Sequence, residues 1–439
     1  MRRVLTFICL CVALLLCHKA DCYTIVRSYD SIFVQDLSPT DKEPSDLDAS
    51  TDLKDVVDEK QNIFVNLSDR FPKFDPAYAA PANDYDRIAK QLAGLHIPDN
   101  KLNNQANIDY AKFIAQEWQN LNGVSLSKIP EWSKNNIAAR VGNSTTLFYP
   151  FGGPDAAYAL KFFPQMRTYI LVGLEPIGNF ENIKRNIENE STMLSLKRAF
   201  SSYLKKGYFV TSEMATQLYN KNVRGVLYLI LIELAQSGFV IDLVENLSID
   251  SKGNEVARQS GMVDCIKILF TPIAGGEQKS MYYARADLCN SNKQLTNLLN
   301  FVRRFSFTTF IKSASYVLHD KSASQTKNFI LENANAILQD DTGIPFNNFD
   351  SNWDKYIFGQ YTRPTLPVFR NYRQQALSNY YEIHKPVEIG FKIGYGFNQD
   401  RPNLILLIPT RRGAIKQTTS MAEESGGCPC RNSKNRPTT

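Results

Sequence analysis

The chain has 439 residues and a formal net charge of +6, with 50 Lys plus Arg against 44 Asp plus Glu. Its 26 Phe and 21 Tyr supply more burial than a disordered chain carries, and its 22 Gly and 8 Cys exclude a collagen-like chain and a disulfide scaffold. The length therefore predicts a folded protein of two or three domains, or one large domain with insertions.

Residues 1–22 have the pattern of an export signal. Two arginines precede an apolar run, Val4 to Cys17, of 14 residues. This run is shorter than the roughly 20 residues that a helix needs to cross a bilayer, so we expect a signal peptide that is cleaved near residues 20–22. The mature protein is then extracytoplasmic, either periplasmic or secreted. A lipid anchor fits less well, because leucines rather than small residues precede Cys17.

Two charged segments flank the central part of the chain. Residues 23–69 form an acidic arm, with nine acidic and two basic side chains between residues 36 and 59. Residues 411–439 form a basic tail with six basic and two acidic residues. Both compositions are typical of flexible arms. Because no aromatic residues interleave with the basic charges of the tail, we expect no nucleic acid partner, while an envelope or surface partner stays open.

The segments between the arms predict an α/β fold. Residues 70–140 predict a helical subdomain, and residues 141–410 predict an α/β core domain in which strands alternate with helices such as Ser324–Leu338. This order favours a mixed, partly parallel sheet flanked by helices. The predicted strands are Thr145–Phe151, Thr168–Leu174, Phe239–Val244 and Phe307–Ile311, while the apolar run Val226–Ile232 predicts a buried helix and not a membrane span.

An antiparallel hairpin is predicted at residues 262–289, with Gly275–Gln278 as its turn. Its apolar residues oppose one another in a register that places Ile266 opposite Leu288. The same register places Cys265 opposite Cys289, and directly opposed Cα atoms about 4.5–5.5 Å apart permit a disulfide. The sequence therefore predicts a Cys265–Cys289 bridge.

Residues that could bind a ligand or take part in catalysis follow the first two predicted strands. A turn with Gly152, Gly153 and Pro154 leads to Asp155 at the start of a helix, Ala156–Phe163, and Glu175 follows the second strand. If the two strands are parallel, both carboxylates emerge at the sheet edge where open α/β folds bind ligands. We therefore predict Asp155 and Glu175 as catalytic residues and Tyr149, Gly152 and Gly153 as ligand-binding residues.

Three interpretations of this edge stay open. Asp155 can simply cap the helix that it precedes. The two carboxylates can instead serve hydrolysis or bind a divalent cation such as calcium. The third interpretation is a Rossmann-like adenosine-binding relic, in which an acidic residue about 20 residues past a glycine turn binds ribose. Against it, Pro154 removes an amide and Asp155 would repel phosphate.

Two further candidates lie later in the chain. His319 is a candidate catalytic residue, although Ser315 and His319 lack the G-x-S-x-G turn of a nucleophile elbow. Asp341 is a candidate ligand-binding residue near the end of the helix at Ser324–Leu338. The histidines show no paired spacing, so no zinc site is predicted. If all these residues are structural, the protein is a non-catalytic envelope or interaction protein.

Three short sequence motifs are distinctive. They are the run from Tyr149 to Asp155 (YPFGGPD), the run from Gly173 to Pro176 (GLEP), and Gly394-Tyr395-Gly396. In these motifs, over roughly residues 80–410, the chain resembles a group of uncharacterised exported bacterial proteins. The resemblance supports export but implies no activity, so no catalytic role is carried over from it.

Overall fold

The structure is a computed structural model that describes residues 81–97, 105–142, 144–206, 224–395 and 400–410. The predicted signal peptide at residues 1–22, the acidic arm at 23–69 and the basic tail at 411–439 lie outside the described residues.

The described residues form a ten-stranded mixed sheet with the strand order β4-β3-β5-β6-β2-β1-β7-β8-β10-β9. Neighbouring strands from β6 through β8 run parallel, and antiparallel strands flank them on both sides. This confirms the predicted fold class. The strands are β1 (Thr146–Tyr149), β2 (Thr168–Gly173), β3 (Phe239–Ile249), β4 (Glu255–Ala257), β5 (Val263–Pro272), β6 (Lys279–Arg285), β7 (Phe307–Ile311), β8 (Ile337–Gln339), β9 (Trp353–Gly359) and β10 (Asn403–Pro409).

Helices cover the sheet on both faces. Short π-helical stretches, Asn122–Leu126 and Lys134–Ala138, follow the second and third of the helices. The α-helices are α1 (Asp84–Leu92), α2 (Gln105–Leu121), α3 (Ile129–Ser133), α4 (Ala156–Phe162), α5 (Phe180–Asn186), α6 (Glu190–Lys206), α7 (Leu227–Gln236), α8 (Leu295–Arg303), α9 (Ser324–Asn333) and α10 (Gln375–Ile383).

The central strand β1 is buried at every position because helices cover both of its faces. In β1, Leu147 and Tyr149 join the hydrophobic cluster under α4 and α7, whereas Phe148 joins the cluster under α8 and α9. A parallel strand covered by helices on both faces needs such a continuous apolar run. Strand β1 therefore contributes side chains to the hydrophobic clusters on both faces of the sheet.

The N-terminal helices pack on the face that carries α7. Helix α1 contacts α7 and β3, and the buried Lys90–Asp86 ion pair of 2.8 Å lies within it. Residues Leu227 to Ala235 of α7 are all buried, which confirms the buried helix predicted there. Among the residues that the structure describes, none of the helices combines the length and the apolar character of a membrane span.

The antiparallel hairpin is confirmed as β5 and β6, but the predicted register is wrong. Cys265 lies opposite Ala284, and Ile266 lies opposite Tyr283 and not Leu288. Cys265 is a buried free cysteine, so the predicted Cys265–Cys289 disulfide is also wrong. The cause is non-local, because β6 also pairs in parallel with β2, from Ser280 to Arg285, and this second partner sets its bounds.

The helix predicted at Ser324–Leu338 is too long. Helix α9 ends at Asn333, Ala334 is extended, and Ile337–Gln339 forms β8. This strand pairs with β7 on one side and with β10 on the other. A short apolar run has the same composition in a buried helix and in a buried strand, so periodicity alone does not separate the two.

Candidate functional site

A cleft opens at the carboxyl ends of β6, β2, β1 and β7. From β1 the chain crosses through α4 to β2 on one side, while β7 and then β8 lie on the other side, so the direction of winding reverses at β1. Open α/β sheets bind ligands at such a reversal. The cleft encloses about 90 Å³, and among its lining residues are Tyr149, Gly152, Gly153, Asp155, Glu175, Asp287, Lys312, Ser313, Ser315 and Tyr395.

Glycines form the first wall of the cleft, directly after β1. A Cβ on Gly152 would lie 2.6 Å from the ring of Tyr149, which leaves no room for a side chain. Gly153 has a φ of +53° and donates its amide to the carbonyl of Val172 in β2, at 3.0 Å. Both glycines therefore let the turn lie flat against the ends of two strands.

Asp155 is buried beneath this turn and does not cap α4. Its Oδ2 accepts a hydrogen bond from the Tyr149 hydroxyl at 2.9 Å and lies 2.8 Å from the Lys312 ammonium, and its Oδ1 accepts from the Tyr203 hydroxyl at 3.1 Å. Its side chain makes no capping bond, although Asp155 occupies the N-cap position of α4. Its contacts instead make it the partner of Lys312, which also lies 3.8 Å from the ring centre of Tyr158.

Glu233 supplies the cap that Asp155 does not. This residue of α7 is fully buried, and its Oε2 accepts the amide of Ala157 at 2.7 Å. Burial, followed by the nearby negative charge of Asp155, raises the pKa of Glu233 well above its usual value. Burial therefore favours the protonated form of the capping carboxyl. The sequence around Glu233 does not predict this role, because it shows only a carboxyl inside an apolar helix.

Glu175 is held at the end of β2 in the position that the sequence predicted. It is 5% exposed and lines the cleft, and its Oε2 accepts a hydrogen bond from the Tyr283 hydroxyl at 3.1 Å. A Cβ on Gly173 would lie 2.5 Å from the Tyr283 hydroxyl and 2.6 Å from that Glu175 oxygen, so only glycine fits beneath the pair. Tyr283 on β6 thus orients the carboxylate, a role that the sequence analysis missed.

The loop after β7 forms the opposite wall. Ser313, Ser315 and Tyr316 have φ angles of 53°, 51° and 57°, in the left-handed region that non-glycine residues rarely adopt. Such conformations cost on the order of 1–3 kcal/mol each and persist only where surrounding contacts hold them. The amide of Ser313 donates to Asp340 Oδ2 at 2.8 Å, and the amide of Ala314 donates to the Thr342 hydroxyl at 2.7 Å.

Asp341 and His319 do not line the cleft. The carboxylate of Asp341 accepts hydrogen bonds from the Tyr316 hydroxyl at 2.5 Å and the Asn403 amide at 2.9 Å, so its contacts support the loop from behind. His319 packs edge-on against Tyr316 and Tyr372. Burial lowers the pKa of His319 to about 4, so its ring is neutral at pH 7. The structure therefore brings together the other predicted residues but not these two.

Within the described part of the chain, no three His, Cys, Asp or Glu side chains converge as metal ligands. No protein-family model, curated protein or solved structure matches the chain.

The first testable prediction concerns the ion pair under the cleft. Lys312→Met leaves the Asp155 carboxylate buried without its cation, so the free energy of unfolding should fall by about 3–5 kcal/mol in urea denaturation. The matched control is Lys267→Met, whose pair with Glu255 is also 2.8 Å long but has side chains 24% and 33% exposed. That control should lose about 0–1 kcal/mol. Equal losses of unfolding free energy in the two variants would contradict a larger contribution of the buried Lys312–Asp155 pair to stability.

The second prediction concerns Asp340. Burial, followed by repulsion from Asp341, raises the pKa of Asp340 to about 7 from its usual 3.8. The folded state then binds a proton that the unfolded state releases between these values, so this group lowers stability as pH rises from about 4 to about 7.

Urea denaturation at pH 4.5, 6 and 8 checks this dependence. The stability of the wild type relative to Asp340→Asn should be greatest at pH 4.5 and should decline toward pH 8. Asp350→Asn, at an exposed turn, is the control and should show no such trend. A difference between wild type and Asp340→Asn that stays constant with pH would refute the assignment.

Proposed function

We propose that the protein binds a nucleoside-type ligand in this cleft, with Glu175 accepting hydrogen bonds from the sugar hydroxyls. The observation that carries the proposal is the position of Glu175 at the carboxyl end of β2, beside the point where the winding of the sheet reverses. Nucleotide-binding folds of the order 3-2-1-4-5-6 bind ribose with an acidic residue in this place. The order β6-β2-β1-β7-β8 corresponds to the first five of those strands.

The size of the cleft fits one moiety of an elongated ligand. Adjacent strands lie about 4.8 Å apart, so the ends of β2 and β7, with β1 between them, are separated by about 10 Å. A sugar beside Glu175 would therefore leave the rest of the ligand to extend toward Ser313. The cleft is small and open on one side, so a sugar beside Glu175 would leave the remainder of the ligand in the open part of the cleft.

The surroundings of α4 disfavour a phosphorylated ligand. Pro154 has no amide, the amide of Asp155 donates to the carbonyl of Gly152, and the amide of Ala157 donates to Glu233. The amides that would bind phosphate at the start of a helix are therefore already engaged.

The charges that line the cleft support the same conclusion. Asp155 and Lys312 form an ion pair, and Glu175 and Asp287 are two further carboxylates of the lining. Such a lining repels a phosphate group and accepts a neutral or cationic ligand.

Hydrolysis by an Asp155 and Glu175 pair has less support. A general acid or base must reach the substrate with an oxygen that is free to exchange a proton. Both oxygens of Asp155 accept hydrogen bonds from buried tyrosines, and one of them also contacts Lys312. We therefore assign Asp155 to positioning within the proposed site and Glu175 to ligand binding.

We also propose that the protein acts outside the cytoplasm. The support is the sequence of residues 1–22, with its arginines and its short apolar run. Expression in a bacterium should yield an exported protein whose first residue, by N-terminal sequencing, lies between about 21 and 23. Deletion of residues 1–22 should retain the protein inside the cell. Recovery of an exported chain that still carries residues 1–22 would contradict cleavage.

Calorimetric titration of the full chain with adenosine tests the binding proposal. We expect saturable binding of adenosine, with AMP at least about 10-fold weaker, which corresponds to 1.4 kcal/mol. Glu175→Gln should weaken adenosine about 10-fold, because a hydrogen bond to a charged acceptor is replaced by a neutral one. The control Glu277→Gln, at an exposed ion pair with Arg167, should bind like the wild type.

A comparison of adenosine with 2′-deoxyadenosine and 3′-deoxyadenosine identifies the contact itself. The wild type should prefer adenosine over at least one deoxynucleoside, and Glu175→Gln should lose that preference. If neither adenosine nor its deoxy forms bind, or if Glu175→Gln retains the preference, the proposed function is wrong.

A further inference from the structure

The loop at residues 312–316 concentrates backbone strain at one wall of the cleft. All non-glycine residues with positive φ among those the structure describes, namely Ser313, Ser315 and Tyr316, lie in this loop. Left-handed backbone is unfavourable for L-residues with a side chain, so a set of contacts must hold the loop in place. The source of those contacts therefore determines the shape of the wall.

One side chain holds the loop from a distant part of the sequence. The Tyr395 hydroxyl accepts the amide of Ser315 at 2.9 Å, lies 2.7 Å from the Ser315 hydroxyl, and donates to the carbonyl of Ser313 at 2.7 Å. Asp340 and Thr342 contact the same loop, but they follow β8, the direct neighbour of β7. Tyr395 is 80 residues from Ser315 and joins the loop to another part of the chain.

Tyr395 is itself fixed and lies at the cleft. It is 4% exposed, it lines the cleft together with Ser313 and Ser315, and its ring packs 5.5 Å from that of Phe369. A rigid phenol ring sets its hydroxyl at a defined distance from the backbone that it contacts. The position of that hydroxyl thus fixes the position of two cleft-lining serines.

We propose that Tyr395 is a positioning residue that holds the strained loop 312–316 in the conformation that forms the β7 wall of the cleft. Its hydroxyl spans the loop from the Ser313 carbonyl to the Ser315 amide, so it stabilises the left-handed conformation over the relaxed one. The part of the proposal that concerns ligand affinity rests on the proposed nucleoside function. The part that concerns the loop stands without it.

Hydrogen exchange followed by mass spectrometry of the full chain tests the loop directly. Tyr395→Phe keeps the ring and removes only the hydroxyl, so exchange in the peptide that contains residues 313–315 should accelerate at least about 10-fold, since the Ser315 amide loses its acceptor. The matched control is Tyr381→Phe, which removes a hydroxyl that donates to the carbonyls of Phe358 and Leu404. The control should leave exchange of residues 313–315 unchanged.

A rescue variant separates positioning from a general loss of stability. Glycine adopts a positive φ without strain, and the Ser313 hydroxyl has no hydrogen-bond partner among the described residues. The double variant Tyr395→Phe with Ser313→Gly still lacks an acceptor for the Ser315 amide, so its exchange should stay as fast as in Tyr395→Phe, whereas the relieved strain at residue 313 should restore ligand affinity. A purely structural contribution of Tyr395 would not be restored in this way.

Adenosine titration provides the second readout. Tyr395→Phe should weaken adenosine about 5-fold or more, Tyr381→Phe should not, and Ser313→Gly should restore most of the loss. If the wild type does not bind adenosine, the proposed function fails while the exchange data still decide the role of Tyr395. If Tyr395→Phe does not fold, Ser315→Ala removes one of the contacts and should accelerate exchange of the same peptide. Exchange of residues 313–315 in either variant that equals the Tyr381→Phe control overturns the proposal.

Discussion

The buried contact between Asp155 and Lys312 is the constraint on which the rest of the site depends. Asp155 precedes α4 and Lys312 follows β7, so the pair joins the two sides of β1 where the winding of the sheet reverses. Both side chains are almost fully buried, and burial of an ion pair is favourable only when further contacts replace the lost water. The hydroxyls of Tyr149 and Tyr203 and the ring of Tyr158 provide those contacts. The floor of the cleft is therefore fixed before any ligand binds.

Three other buried carboxyl groups near the cleft, those of Glu233, Asp340 and Asp341, accept hydrogen bonds from amide and hydroxyl donors. Glu233, whose pKa is raised by burial, accepts the amide of Ala157 at the start of α4, while Asp340 accepts the amides of Ser313 and Thr342. Asp341 relies on the Tyr316 hydroxyl and the Asn403 side chain. Each of these carboxyl groups accepts hydrogen bonds from nearby donors, and Lys312 forms its ion pair with Asp155. Glu175 and Asp287 are the further carboxylates of the cleft.

The sequence predicted the parts of the site that depend on local order along the chain. Consecutive apolar strands with a short helix between them imply a parallel pair, and the observed pairing of Thr146 with Thr168 places Asp155 and Glu175 at one edge. The hairpin register could not be predicted in the same way, because β6 pairs with β2 as well as with β5. Glu233, Tyr283 and Tyr395 were missed for a related reason. Each acts across a large sequence separation, and a single carboxyl or tyrosine in an apolar segment carries no local signal of its partner.

The two walls of the cleft differ in how they are stabilised, and this difference bears on where selectivity arises. On the side of β2, glycines and the Tyr283 hydroxyl fix Glu175 with unstrained backbone, so this wall can bind a sugar with little rearrangement. On the side of β7, a strained loop depends on Tyr395 and Asp340. Strained conformations relax when a single supporting contact is lost, so this wall responds to small changes in its surroundings. Under the proposed function, the β2 wall would supply affinity, and the β7 wall would determine which ligands are accepted beyond the sugar.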